Sequence, residues 1–166
     1  MDDRNPYGSP EAVVAELGQG NLAGRGERLG AAIIDTIILL VVLVPLMLVG
    51  GYWEVAMAAG GQVPLGTTLL WAGIGFAVFA AVQWYPLDAA GQTWGKRLLG
   101  IRIVDMDGAK PPVGRLLWWR YLPIQAVGNV PVVGMVLWLV DVLLIFRGDR
   151  RCGHDLVAGT QVVKGG

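Results

Sequence analysis

The stretch Leu29-Gly-Ala-Ala-Ile-Ile-Asp35-Thr-Ile-Ile-Leu-Leu-Val-Val-Leu-Val-Pro45-Leu-Met-Leu-Val49 carries a single charge, Asp35, in 21 otherwise uncharged and mostly apolar residues. As a helix it reaches about 31 Å, the thickness of a bilayer's hydrocarbon core. A carboxylate near the centre of such a helix costs about 2.5–3.5 kcal/mol on insertion scales. Arg28, seven residues earlier at the mouth of the run, is the first candidate to offset that cost. Two turns separate them, so both side chains face one side, and an arginine snorkels along its helix.

Composition points the same way. The chain has 166 residues, enough for one domain, of which 54% are hydrophobic and 16% charged. Soluble domains carry about 25% charged residues, so this chain is starved of surface charge and reads as a membrane protein. Its formal net charge of zero gives no support to a nucleic-acid partner. Cys152, the one cysteine, has no internal disulfide partner. The first residues are polar and mixed in charge, without the basic flank, apolar core and cleavage site of a signal peptide, so the first span is expected to stay in the mature protein.

Residues 1–24 read as a polar tail with a short helix near 10–17, and residues 25–166 as one membrane domain. A second span is expected over 67–85, without charge, with Trp71 at one end and Trp84-Tyr85 at the other as interfacial aromatics. Gly73, Ala77 and Ala81 lie four apart, either a stripe for close helix packing or the composition of a Gly/Ala-rich chain. Residues 50–66 read as a loop whose one charge is Glu54. Residues 86–120 are basic, with Lys96, Arg97, Arg102, Lys110, Arg115 and Arg120. Within them, 99–105 alternates like a strand, Asp107-Gly108 marks a turn, Pro111-Pro112 blocks continuation, and a helix resumes near Val113. The third apolar stretch, 121–146, has Asp141 as its only charge and is broken at Gly128-Asn129-Val130-Pro131. Either one span runs from about Ile124, or two short segments meet at the break. The expected fold is an all-α membrane bundle of three to four spanning or partly spanning helices with a short β-like element.

Basic residues follow 86 and return after 146 (Arg147, Arg150, Arg151, Lys164), whereas 50–66 has none. The positive-inside rule therefore places both termini and the 86–120 segment in the cytoplasm. Asp35 then lies about 10 Å beyond Arg28, and Asp141 about 9 Å before Arg147, along their helices. At similar depth, the two carboxylates are expected to share one polar site. Residues 160–164 are strand-like and pair with 100–105 if both lie on one side.

The residues also resemble a known family. Glu27-Arg28-Leu-Gly-Ala-Ala-Ile-Ile-Asp35 looks like the opening of the RDD family of small integral membrane proteins, named for one arginine and two aspartates. Gly91-Gln-Thr-Trp-Gly-Lys-Arg-Leu-Leu-Gly-Ile-Arg-Ile-Val-Asp-Met-Asp-Gly108 looks like its central segment, and Arg120 matches an arginine before the last apolar stretch. Gly153-His-Asp-Leu-Val-Ala-Gly-Thr-Gln-Val-Val163 looks like its closing segment. The resemblance covers about residues 25–164 and implies that Arg28, Asp35 and one of Asp155 or Asp141 are the named residues. It implies a bacterial inner-membrane protein for which a transport role has been suggested, without a settled activity.

The polar framework is therefore Arg28, Asp35, Asp141 and Asp155, with Arg97, Arg120 and His154 as candidate partners. It serves either as an ion or proton site for transport, or as a structural lock that fixes helix packing for a scaffold. Lys96, Arg97 and Arg102 are expected to meet anionic lipid headgroups. Gly91 to Lys96 is not a phosphate loop: the glycines are spaced wrongly, and Arg97 replaces the Ser or Thr that holds magnesium. Cys152 and His154 make neither a metal site nor a catalytic pair by spacing, since no second histidine exists. No enzyme activity, cofactor or metal is expected. The lipid bilayer is the expected partner, with a homo-oligomer or another membrane protein beside it, because so few segments enclose no pathway alone.

Overall fold

Glu27 starts the first helix: its Oε2 accepts from the backbone N–H of Gly24 at 2.6 Å, satisfying a donor that helix geometry orphans. The computed structural model describes residues 22–128 and 133–165, and in it this helix, α1, spans Arg25–Val49. The expected tail helix near 10–17 and the centre of the break at 129–132 lie outside the described residues. α1 closes on Gly50, whose N–H returns to Leu46 O at 2.8 Å, and Gly51 turns the chain with φ +72°. The loop expected over 50–66 contains a short helix, α2 (Tyr52–Ala58). Tyr52 sets its ring edge-on to Trp71 at 5.7 Å, which gives this helix a packing partner that composition did not reveal.

The second long helix, α3 (Leu65–Ala90), runs five residues past its expected end and through Pro86. A proline inside a helix deprives the carbonyl four residues earlier of its donor. Here that carbonyl is Val82 O, and the Trp94 indole N–H donates to it at 2.9 Å. α1 and α3 are both long and apolar enough to cross a membrane. They meet at the Gly50 end, where a Cβ on Gly50 would strike the Trp71 ring at 2.7 Å. Gly73, Ala77 and Ala81 are exposed, so no described helix of this chain covers that stripe.

A small cap follows α3. It comprises α4 (Trp94–Leu98), β1 (Ile101–Asp105), α5 (Val113–Arg115), a π-helical stretch (Leu116–Tyr121) and α6 (Leu122–Gly128). After the break come α7 (Val133–Leu143), α8 (Gly153–Ala158) and β2 (Thr160–Lys164). β1 and β2 pair antiparallel, Ile101 opposite Lys164 and Asp105 opposite Thr160, as the alternation predicted. Leu22 extends that sheet by a bridge to Val163, and Ala23 N–H donates to Val162 O at 3.0 Å. α7 folds back on α6 so closely that Gly134 has no room for a side chain beside the Val127 carbonyl. The third apolar stretch is thus two short segments rather than one span from Ile124.

Ala31, Leu87, Ile101, Ile103, Leu116 and Val162 form the core, all at the capped end of the long helices. Towards the other end the apolar side chains of α1 and α3 stay uncovered, among them Val41, Leu48, Leu69 and Leu70. An apolar surface of that extent marks an interaction or membrane face.

Candidate functional site: three buried carboxylates

Asp35, Asp141 and Asp155 are buried, and each is satisfied differently. Asp155, the third residue of α8, lies fully buried between two guanidiniums. Its Oδ2 pairs with Arg28 and accepts from Cys152 N–H at 3.1 Å, while Oδ1 faces Arg120. Arg120, on the π-helical stretch, also donates to Thr160 Oγ1. Arg28 donates to the carbonyl of Arg150, whose left-handed backbone (φ +50°) is unusual for a residue with a side chain. Burial opposes ionisation of Asp155, yet the positive charges of Arg120 and Arg28 hold its carboxyl well below the usual range.

The same helix is gripped at its other end. Arg115 Nε donates to Ala158 O at 3.0 Å, and Arg151 Nη2 donates to Asp155 O at 3.3 Å. Cations at a helix C-terminus complement its dipole and its orphan carbonyls. Much of the basic surplus read from the sequence is spent inside the protein, around α8.

The expected Arg28–Asp35 pair does not form, because Arg28 is occupied by Asp155. Asp35 is held instead by neutral donors. Its Oδ1 accepts from Gln83 Nε2 at 2.9 Å and from Gly95 N–H at 2.8 Å, and its Oδ2 from the Thr93 hydroxyl at 2.5 Å. Gln83 continues the network by accepting from Trp94 N–H at 3.0 Å. Thr93 is the N-cap of α4, accepting from Lys96 N–H at 3.3 Å. Gly95 must be glycine, since a Cβ there would run into the Ala31 carbonyl of α1. The Gly91-to-Lys96 turn therefore cradles a carboxyl group, that of this chain's own Asp35. Asp35 makes no ion pair among the described residues.

Asp141 reaches from α7 to the start of α8. It accepts from His154 N–H at 2.7 Å and lies 2.8 Å from His154 Nδ1. Burial holds the His154 ring below its usual range, against the pull of Asp141. Among the described residues Asp35 and Asp141 take their hydrogen bonds from different partners, not from the one site expected for both.

Of the other residues singled out, Arg97 does not reach Asp155 but stacks on the Trp94 ring at 5.7 Å. Lys96 Nζ lies 3.4 Å from Thr93 Oγ1, and Arg102 is exposed on β1. Gln83 and Thr93 escaped the sequence reading because neither is charged. A lone amide in a charge-free span, and a threonine ahead of a helix start, were the available signals.

The RDD family profile matches residues 22–159 of the chain. The chain is 35% identical over 142 residues to the uncharacterized protein YckC of Bacillus subtilis (strain 168), covering 84% of this chain and 83% of that protein. It is 32% identical over 92 residues to an uncharacterized protein of Haemophilus influenzae, covering 55% of this chain and 56% of that one. No solved structure matches it. With the match spanning the opening Arg28 and Asp35 as well as the closing His154-Asp155, this chain belongs to the RDD family.

Proposed function

We propose that this is a non-enzymatic integral membrane protein of a bacterial inner membrane, with both termini cytoplasmic, which moves a proton or a small monovalent cation with Asp35 as the exchanging group. One observation carries the reading: Asp35 is buried near a membrane-length helix's capped end and makes no ion pair among the described residues. Arg28 and Arg120 are committed to Asp155, so loading Asp35 with a proton or cation breaks no ion pair. The hydroxyl of Thr93 is a neutral oxygen a small cation would recruit beside the carboxylate, and Gln83 would add its amide oxygen by turning the amide over. Convergence of the β1–β2 sheet, α8 and the basic 86–120 segment on one end supports the common side for both termini.

A second reading is favoured by the same hydrogen bonds. They tie α1, α3 and α4 together, and Gly95 shows how closely α4 must approach. On that reading Asp35 is a packing lock in a scaffold. Proteoliposome flux separates the two. Wild-type protein is expected to carry proton flux driven by a sodium or potassium gradient, and folded Asp35→Asn protein to lose it. Absence of flux in wild-type vesicles, or undiminished flux in the variant, favours the lock.

A further inference from the structure

The ligand atoms of Asp141, Cys152 and His154 lie within 4.8 Å of one another, although the sequence spacing argued against a metal site. What spacing hid is that Asp141 arrives from another helix. We infer that Asp141, Cys152 and His154 form a binding site for a divalent transition-metal cation of the zinc or cobalt type, which pins α7 to the start of α8.

The donor set is one thiol, one imidazole and one carboxylate, the mixture that borderline cations such as Zn²⁺ and Co²⁺ accept. His154 Nδ1 and Asp141 Oδ2, 2.8 Å apart, are already near the separation of two ligands on one ion. Cys152 Sγ lies within 4.8 Å of both residues' ligand atoms. Asp141 and His154 also line an apolar groove of about 240 Å³ with Ile124, Val127, Leu137 and Leu144.

A second observation points to the ion. His154 Nε2 lies 3.9 Å from Asp155 Oδ1, the fully buried oxygen that pairs with Arg120. With a metal on Nδ1, His154 would turn its Nε2 edge to Asp155. A carboxylate behind a ligating histidine is the usual arrangement at metal sites. Charge also balances. The dication meets one thiolate and one carboxylate, so Arg28, 3.7 Å from Cys152 Sγ, sees a neutral site and keeps its pairing with Asp155. Binding as the thiolate releases the Cys152 thiol proton to solvent.

The inference does not depend on transport, and the test reads binding alone. Purified full-length protein in detergent, stripped with a chelator, is titrated with Co²⁺. The expected result is one equivalent bound per chain with a thiolate-to-cobalt charge-transfer band, lost in Cys152→Ser and His154→Gln. The lone cysteine gives a readout that needs no variant. Zn²⁺ is expected to slow alkylation of Cys152 in the wild-type chain by at least about tenfold, because a metal-bound thiolate is shielded, and chelator to restore it. Failure to see the band, a band that survives Cys152→Ser, or alkylation indifferent to Zn²⁺ overturns the site.

Discussion

Two regions of this protein bury a carboxylate, and they do so by opposite means. Around α8, Asp155 is compensated by full charges, Arg28 from the first helix and Arg120 from the π-helical stretch. At the α1–α3–α4 junction, Asp35 is compensated by dipoles alone: an amide, a hydroxyl and a backbone N–H. The first arrangement resists any change of charge, because protonating Asp155 would strand two guanidiniums. The second holds its carboxyl through neutral hydrogen-bond partners, with the Lys96 ammonium one hydroxyl away on Thr93, so a proton or cation arriving there displaces no ion pair among the described residues.

The comparison breaks most visibly at Asp155. Removing one partner of a buried ion pair costs about 3–5 kcal/mol, and here two buried cations lose their only shared anion. Asp155→Asn is therefore expected to bring the protein close to unfolding in detergent, read as thermal denaturation followed by size exclusion. The pH dependence has a fixed sign. Folding holds the Asp155 carboxyl below its unfolded value of about 3.9, so its contribution is complete above about pH 4 and drains away as pH falls further. A denaturation series in wild-type protein from about pH 7 to 3 should show this loss, with its acid limb flattened in Asp155→Asn.

Asp35→Asn is the milder change. The amide keeps the shape and one acceptor oxygen but turns a donor towards Gly95 N–H or the Thr93 hydroxyl, a mismatch of about 1–2 kcal/mol. The variant is expected to fold and to unfold only modestly earlier than wild type. Equal destabilisation by Asp35→Asn and Asp155→Asn would erase the distinction between the two regions.

Much of this fold was legible in the chain. The long apolar runs gave α1 and α3, and alternation at Ile101-Arg102-Ile103 gave the strand and its pairing with residues 160–164. The sites were legible as residues and not as partnerships. Arg28 and Asp35 are close in sequence, yet two turns of helix hold them about 10 Å apart, too far for contact. Asp155, 127 residues away from Arg28, reaches it because the sheet brings the chain ends together. The helix through Pro86 was hidden for a related reason. Only tertiary structure shows that Trp94 satisfies the carbonyl the proline leaves free. The short α2 lay in a Gly-rich loop, where nothing in the residues anticipates the Trp71 contact that supports it.

The smallest expected effect is also the most local. Burial pushes the Cys152 thiol up to about 11, against the pull of Arg28 and with the repulsion of Asp155 added. Only the thiolate attacks an alkylating reagent, so metal-free protein at pH 8 presents about one reactive sulfur in a thousand. Alkylation should be slow there and rise about tenfold per pH unit towards pH 10. Since Asp155 helps to hold the thiol protonated, Asp155→Asn should accelerate the reaction, whether by charge or by loosening the turn before α8. Asp35 shares no partner with Cys152, so Asp35→Asn should leave the rate unchanged. Mass-spectrometric labelling of this one cysteine thus reports on the charge-locked region alone, and equal acceleration by both substitutions would mean that the two carboxylates are coupled after all.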